Sequence, residues 1–497
     1  MRAREKKRGR RATRTTISAR LASRVTLETH ASGKVIVYFD GRSVDLGAFS
    51  AGAANRAQDL RIGLPLTSFA SSGRSIDKEI DLLVRRLAGH GLLEYRIGPS
   101  PNNDDQIVVE PQVADYWPQT PPLRDGDVLV LSRFAYMRRR GNDMVLESPR
   151  AGALFRICDP KIATALATLS APRQIKELRR QDDFTGVEIL ALLVDCRILF
   201  KAHVSGARDV QLAEGNGNLG LWDFHDLLFH ARSTEGRHAN PLGGVYPHAG
   251  VVPAPPAVRA LWAGKKIDLR QPLGAQAEPI SPIAKLLHDR HSTRNFDDQR
   301  PITLGELARF LDGTARVMSR WESEVELGHI RPRIAYAARP YPSAGASYEL
   351  ELYLAVDRCE GLARGFYHYD AGGHALVPIG ASAHQLEALL TGARFAMDAP
   401  AAPQILITIA ARFGRLSWKY SSLAYALILK DVGVLTQTFY LMATDMGLGG
   451  CAVGTTNIDL FAKTTGIEFH VEGPVGQFAL GRGRPMTDDG GQTTEDR

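Results

Sequence analysis

Two neighbouring stretches near the C-terminus limit what this chain can fold into. QILITIAAR (404–412) is almost wholly apolar, as a central strand covered on both faces must be. Soon after it, SSLAYALILKDVGVLTQTFYLMATDMG (421–447) reads as one helix of up to 27 residues, or about 40 Å at the usual rise. Its apolar residues fall on most faces, so it is expected to be buried on several sides, as helices at subunit interfaces often are.

The surrounding sequence extends this into an α+β domain over 281–486. Thr303 is a helix N-cap candidate for ITLGELARFLDG, with Glu306 three residues on. Strands are expected at about 349–356, 364–369 and 374–379, and the Gly-edged runs GLGGCAVG and VGQFALGRG close the domain. At 497 residues the chain is too long for one ordinary core, and two or three domains are expected. In the N-terminal half, two loosely similar segments (25–100 and 125–203) each end in an amphipathic helix and a short apolar strand. Leu82, Leu83, Leu87 and Leu92 in one match Ile189, Leu192, Leu193 and Ile198 in the other by pattern. They read either as a tandem pair of small winged-helix-like units or as two unrelated α+β pieces. A polar, Pro-rich connector separates them, and 204–280, rich in Gly, Pro and His, reads as a long crossing linker. A tail at 487–497 is expected to be disordered.

The formal charge of +7 is local: residues 1–24 hold ten Lys or Arg and one Glu. That segment is expected to be a disordered basic arm, and the rest of the chain is close to neutral, which argues against nucleic-acid binding by the main domains. No run of ~18 uninterrupted apolar residues suggests a membrane span. Four scattered cysteines fit a reducing cytoplasm. No Cys or carboxylate cluster accompanies His225, His230, His238 and His248, so no metal site is expected.

Three stretches hold candidate chemistry. Arg290-His291-Ser292-Thr293-Arg294 follows the helix PIAKLLHD. Two guanidinium groups with hydroxyls between them suit a phosphate, although a solvated basic turn would look the same. Pro342-Ser343-Ala344-Gly345, just before a core strand, is either turn punctuation or a place where a flat ring meets the backbone. Gly449-Gly450 offers a second close approach, and Arg482, between Gly481 and Gly483, a further phosphate partner.

The order RxSxRxF, PSAGASYELELYL, a long helix with Gln437, GLGG and a terminal GRGRP resembles the nitroreductase-like flavoproteins over about 222–485. Among them it looks like the SagB-type, or azoline, dehydrogenases. The N-terminal segments resemble, less specifically, the peptide-clamp domains of cyanobactin-type oxidases. The resemblance implies a three-layer, FMN-binding α+β domain that dimerises, with flavin sites built from both subunits. Arg290, Ser292 and Arg294 would hold the phosphate and ribityl chain, with Arg482 returning to the phosphate. His291 stands where many relatives have a second Arg. Pro342, Ser343, Ala344 and Gly345 would pass near the isoalloxazine, Gln437 would reach its polar edge, and Gly449 and Gly450 would flank it.

The resemblance also points to Lys419-Tyr420 as a catalytic pair. Turning a thiazoline or oxazoline into an azole removes one hydride, expected at flavin N5, and one proton, which needs a base. A desolvated Lys with a Tyr relay would serve. The alternative is an exposed Lys at a helix start beside a packed Tyr. The implied partners are a precursor peptide and a cyclodehydratase, and because no nicotinamide-binding fingerprint is visible, dioxygen rather than another acceptor is expected to reoxidise the flavin. Alternatives are an NAD(P)H-dependent nitroreductase-like enzyme of small molecules and a non-catalytic peptide-binding scaffold.

Overall fold

The structure is a computed structural model that describes residues 15–484, except 40, 71–72, 99–103, 181–185, 203–213, 215–216, 239–242, 261–262 and 270–279. The chain divides into two compact units: residues up to 232 together with 236–239, and residues 233–235 together with 240 onward.

In the first unit, β1 (Thr16–Leu21) leads through a meander of β2 (Thr26–Thr29), β3 (Lys34–Phe39) and β4 (Arg42–Ala48) to α1 (Ala51–Arg56) and β5 (Leu64–Pro65). Next come α2 (Ser75–Gly89), β6 (Leu93–Gly98), β7 (Ile107–Pro111), β8 (Val128–Leu131), β9 (Tyr136–Arg140), β10 (Asp143–Glu147) and β11 (Ala153–Ile157). The unit continues with α3 (Pro160–Thr168), β12 (Arg173–Gln174), α4 (Ile175–Leu178), α5 (Val187–Asp195), β13 (Leu199–Lys201) and α6 (Phe224–Ser233).

The two similar segments share one wiring. A first strand pairs with a two-residue strand on one side and with the strand after the last helix on the other, giving β5-β1-β6 and β12-β8-β13. The matching residues differ in part from the pattern. Leu83, Leu87 and Leu92 answer Ile189, Leu193 and Ile198, and all six are buried, whereas Leu82 is 46% exposed. Each helix ends alike: Leu92 N–H donates to Leu87 O at 3.0 Å and Ile198 N–H to Leu193 O at 2.9 Å. The residue before each is left-handed, Gly91 (φ 65) and Arg197 (φ 58).

Three expectations change here. Within the supposed disordered arm, Thr16–Leu21 is a strand whose alternating apolar residues pack, a pattern hidden by the many arginines of the surrounding 1–24 segment; residues 1–14 lie outside the described residues. The connector supplies β7, a central strand of the seven-stranded sheet β5-β1-β6-β7-β11-β10-β9. The crossing linker contains α6, where His230 is fully buried against Trp222 and burial holds its ring neutral, its pKa pushed down to about 3. Among the described residues no group of three His, Cys, Asp or Glu could hold a metal. The tail at 487–497 lies outside the described residues.

The second unit runs α7 (Pro282–Asp289), α8 (Leu304–Ala315), β14 (Ser319–Glu324), β15 (Arg333–Ala338), β16 (Leu350–Val356), β17 (Gly365–Asp370), β18 (Ala375–Ile379) and α9 (Ala383–Ala396). It ends with β19 (Ile405–Arg412), α10 (Phe413–Ser417), α11 (Ala424–Asp445), β20 (Gly449–Val453), α12 (Ile458–Thr465) and β21 (Glu472–Gly481). Six antiparallel strands order as β18-β17-β16-β19-β21-β20. The all-apolar 404–412 stretch is a central strand, as its composition demands. One sheet face packs Tyr353, Ala355, Leu406 and Ala410 against α9 and α12. On the other, Phe478 meets Phe439 and Tyr440 of α11, and Phe439 meets Phe310 of α8. This is a three-layer α+β sandwich.

The long helix is 22 residues, shorter than its sequence suggested, because Leu423 sits outside helical geometry at its start. Length and composition would also let it cross a membrane. Here Ile428, Leu435 and Phe439 are buried inside the unit. Ala426, Lys430, Gly433, Val434 and Gln437, at helical spacing, form an exposed stripe.

Candidate functional site

The helix α11 touches two groups of candidate residues, one near each end. Asp431 and Tyr440 mark them, nine positions apart in sequence, or about 13 Å along the axis.

At the Tyr440 end, α7 begins at the Ser281 cap and closes with Arg290, whose N–H donates to Leu286 O at 3.0 Å. The loop from Arg290 to Arg294 is then pinned from three sides. The Ser292 and Tyr440 hydroxyls share a 2.9 Å hydrogen bond, and Tyr440 Oη also accepts the Ala452 N–H at 2.8 Å. Thr293 N–H donates to Gly450 O at 2.8 Å. The Arg290 guanidinium lies over the Tyr440 ring, 5.2 Å from its centre. Arg294 is half-buried in the same loop, and His291 is exposed, its Nδ1 at 3.0 Å from Asp289 O. Sequence reasoning missed Tyr440, because it reads as one more apolar-face residue of a buried helix.

Gly449, Gly450 and Arg482 each have a partner within the chain. A Cβ on Gly449 would come within 2.6 Å of Thr293, and one on Gly450 within 2.3 Å of Phe478. The chain's own close packing is by itself enough to require both glycines. Arg482 Nη2 lies 2.7 and 2.8 Å from the two carboxylate oxygens of Glu306, so its charge is already paired. Glu306 also completes the expected capping box with Thr303. Although burial opposes it, the Thr303 N–H and Arg482 hold the Glu306 carboxyl below its usual range. Of the three arginines expected at a phosphate, Arg290 and Arg294 stand together on the 290–294 loop.

At the Asp431 end, the turn before β16 departs from ordinary backbone. Gly345 (φ 56), Ala346 (φ 53) and Tyr348 (φ 46) are all left-handed, which costs about 1–2 kcal/mol for each residue with a Cβ. The turn is held from below. Asp431 Oδ2 accepts the Ser343 hydroxyl and the Ala344 N–H, both at 2.9 Å, and Ser343 Oγ accepts the Tyr348 N–H at 3.0 Å. From above, Lys419 Nζ donates to Gly345 O at 3.2 Å. A Cβ on Gly345 would stand 2.3 Å from Lys419 Nζ and 2.6 Å from Tyr420 Oη. The small-residue turn and the Lys-Tyr pair, some seventy residues apart in sequence, therefore meet in one place.

Lys419 is exposed, and its Nζ lies 5.8 Å from the Tyr336 ring centre. Tyr336 lines a cavity of about 630 Å³ with Ser347, Tyr348, Arg339, Arg412 and Arg415. Arg415 Nε donates to Ser347 O at 2.9 Å, tying the cavity wall to the same turn. Pro342 is exposed at the start of the turn. Gln437 is not brought to the turn within one chain; it stands on the exposed stripe of α11.

Comparison with known proteins gives this geometry a family. The nitroreductase family model matches residues 287–482, and the model of the cyanobactin oxidase ThcOx matches 129–239. A Methanocaldococcus jannaschii protein named as a nitroreductase is 36% identical over 174 residues, covering 35% of this chain and 78% of that protein. The chain belongs to the nitroreductase family. It carries a cyanobactin-oxidase segment ahead of its nitroreductase domain. Members of that family generally bind flavin, and the chain is an oxidoreductase.

Among solved structures, a Ralstonia eutropha nitroreductase-type protein is similar at 21% identity, covering 43% of this chain and 88% of that one, with a TM-score of 0.31. The E. coli microcin synthetase McbBCD complex with truncated pro-MccB17 bound is similar at 19% identity, covering 54% of this chain and 97% of that one, with a TM-score of 0.36.

Proposed function

We propose that this protein is an FMN-dependent dehydrogenase that oxidises thiazoline or oxazoline rings in a ribosomally made peptide to the aromatic azoles. The observation that carries the reading is the meeting of Lys419 and Tyr420 with the left-handed turn at Gly345. A nitroreductase working on small molecules has no evident use for a base and a hydroxyl poised over that turn, whereas azoline oxidation must dispose of a ring proton. The cyanobactin-oxidase match over 129–239 supports a peptide substrate, and with it a cyclodehydratase as the enzyme acting before this one.

The residues fit FMN. Two guanidinium groups and the Ser292 hydroxyl, on a loop fixed by Tyr440 and Gly450, form a donor set for a phosphate monoester. The turn at 343–345, one helix span away, offers small-residue backbone beside the Lys419 and Tyr420 side chains. FMN would supply the hydride acceptor. Arg290 and Arg294 would bind its phosphate, and the turn would orient its ring. Tyr420 and Lys419 would take the ring proton, with the amine of Lys419 as its final holder. Lys419 is exposed in the single chain, so bound cofactor and peptide would provide the desolvation that lets it act as a base. The cavity beside Tyr336 would admit the peptide's ring from the Lys419 side. The exposed stripe of α11, which carries Gln437, would meet a second copy of the chain.

The test is anaerobic mixing of FMN-loaded protein with an azoline-containing peptide. Loss of the flavin's visible absorption with the peptide, and not with NADPH, is expected. Bleaching by NAD(P)H alone would favour the nitroreductase reading instead.

A further inference from the structure

Beneath the turn lies a feature that the proposed chemistry does not use. Glu349 is fully buried at the start of β16, and Asp431 faces it from α11, also buried. Ser343 Oγ is 2.9 Å from Asp431 Oδ2 and 3.3 Å from Glu349 Oε2. A serine hydroxyl has one proton, and the shorter contact directs it to Asp431. The Glu349 contacts then need a proton of their own, because two buried carboxylates cannot both stay charged side by side. Glu349 Oε1 has no hydrogen-bond partner among the described residues, which an ionised oxygen in that position could not tolerate cheaply.

We propose that Glu349 and Asp431 share one proton and act together as positioning residues that hold the Ser343–Tyr348 turn in its left-handed form under the Lys419–Tyr420 pair. Loss of the shared proton loosens the turn, so the site is set by pH from beneath. Burial, aided by the Asp431 charge, pushes the Glu349 carboxyl up to about 7 from an ordinary 4.5. Charged or titratable groups that face it include Arg415 of α10 and Tyr341, with Arg339 and Tyr348 beside Tyr341, and Arg412 N–H donates to the Glu349 carbonyl at 3.0 Å. Arg415 favours the ionised form, with two of its five N–H donors held by the Ser347 and Ala335 carbonyls. The Tyr341 phenol is itself pushed up by burial and stays neutral. A carboxyl whose pKa is raised on folding contributes stability that is complete below 4.5 and is lost as pH rises through about 7.

The part of this inference that concerns a flavin rests on the FMN reading, so the test has a cofactor-free arm. In thermal unfolding of the FMN-free full chain at pH 5 and pH 8, wild type should lose on the order of 5 °C more than Glu349→Gln, which needs no proton to stay neutral. Asp431→Asn, which removes the competing charge, should move the wild-type loss to lower pH, and it serves as the second variant if Glu349→Gln folds poorly. In the second arm, flavin fluorescence quenching should show wild-type FMN affinity falling by about tenfold from pH 6 to pH 8.5, with the fall absent in Glu349→Gln. Equal pH slopes for wild type and both variants in the cofactor-free arm would overturn the shared proton. If FMN binds to no form at any pH, the FMN reading fails, and the shared proton stands or falls on the first arm alone.

Discussion

The two ends of α11 hold their residues in opposite ways. Around Tyr440 the backbone is ordinary and the fixing is done by side chains: Ser292 on Tyr440, Thr293 on Gly450, Arg482 on Glu306. Around Asp431 the backbone is itself strained, with three of the four residues 345–348 left-handed and buried carboxyls holding the turn from below. The first arrangement suits a binding corner, where donors must stand still for a phosphate. The second suits a reactive end, where strain is kept because the surrounding structure compels it. In this account one end holds the cofactor and the other does the chemistry.

Removing the base should separate the two most sharply. Lys419→Ala or Tyr420→Phe is expected to lower turnover by about 10²–10⁴-fold while fluorescence-measured FMN affinity stays near wild type. Equal losses in both quantities would erase the division of labour. Gly345→Val comes next. It forces a β-branched residue into left-handed backbone and drives a Cβ into Lys419 Nζ and Tyr420 Oη. Displacing the pair should cost on the order of 10²-fold in turnover, read alongside a thermal melt that still shows a cooperative fold.

At the other end, Arg290→Ala should weaken FMN binding by about 10–100-fold, the worth of a charged hydrogen bond or two, with the activity of the saturated enzyme largely kept. Smallest is Tyr440→Phe. It leaves Ala452 N–H and Ser292 without their phenol partner and should cost about 1 kcal/mol of stability, measured by denaturant titration, with FMN affinity down a few-fold. A Tyr440→Phe variant that loses turnover more than affinity would place chemistry at the wrong end.

The layered fold could be read from the sequence where composition leaves no choice: a nine-residue apolar stretch has to be a central strand, and a capping box marks α8. The candidate residues 290–294 and 342–345 each had an ordinary reading as a basic turn or turn punctuation, and their order along the chain with the later Gly-rich segments singled them out, whereas 419–420 came only from the family resemblance. What could not be read depends on partners distant in sequence. Glu349 looks like the polar phase of an alternating strand until Asp431, on a helix more than eighty residues away, closes over it. Arg482 looks like a free cation until Glu306 takes it. β1 is hidden because the arginines around it dominate the composition of residues 1–24, and Leu82 looks like core because a one-residue error in helical phase turns a side chain outward.

The central claim is that the reactive end removes a proton and a hydride from an azoline ring. Mass spectrometry of a cyclised peptide after incubation with the FMN-loaded protein in air measures this directly. The expected result is the loss of two hydrogen atoms per ring, abolished by Lys419→Ala. An unchanged peptide mass from protein that binds FMN and reduces a nitro compound with NADPH would contradict it.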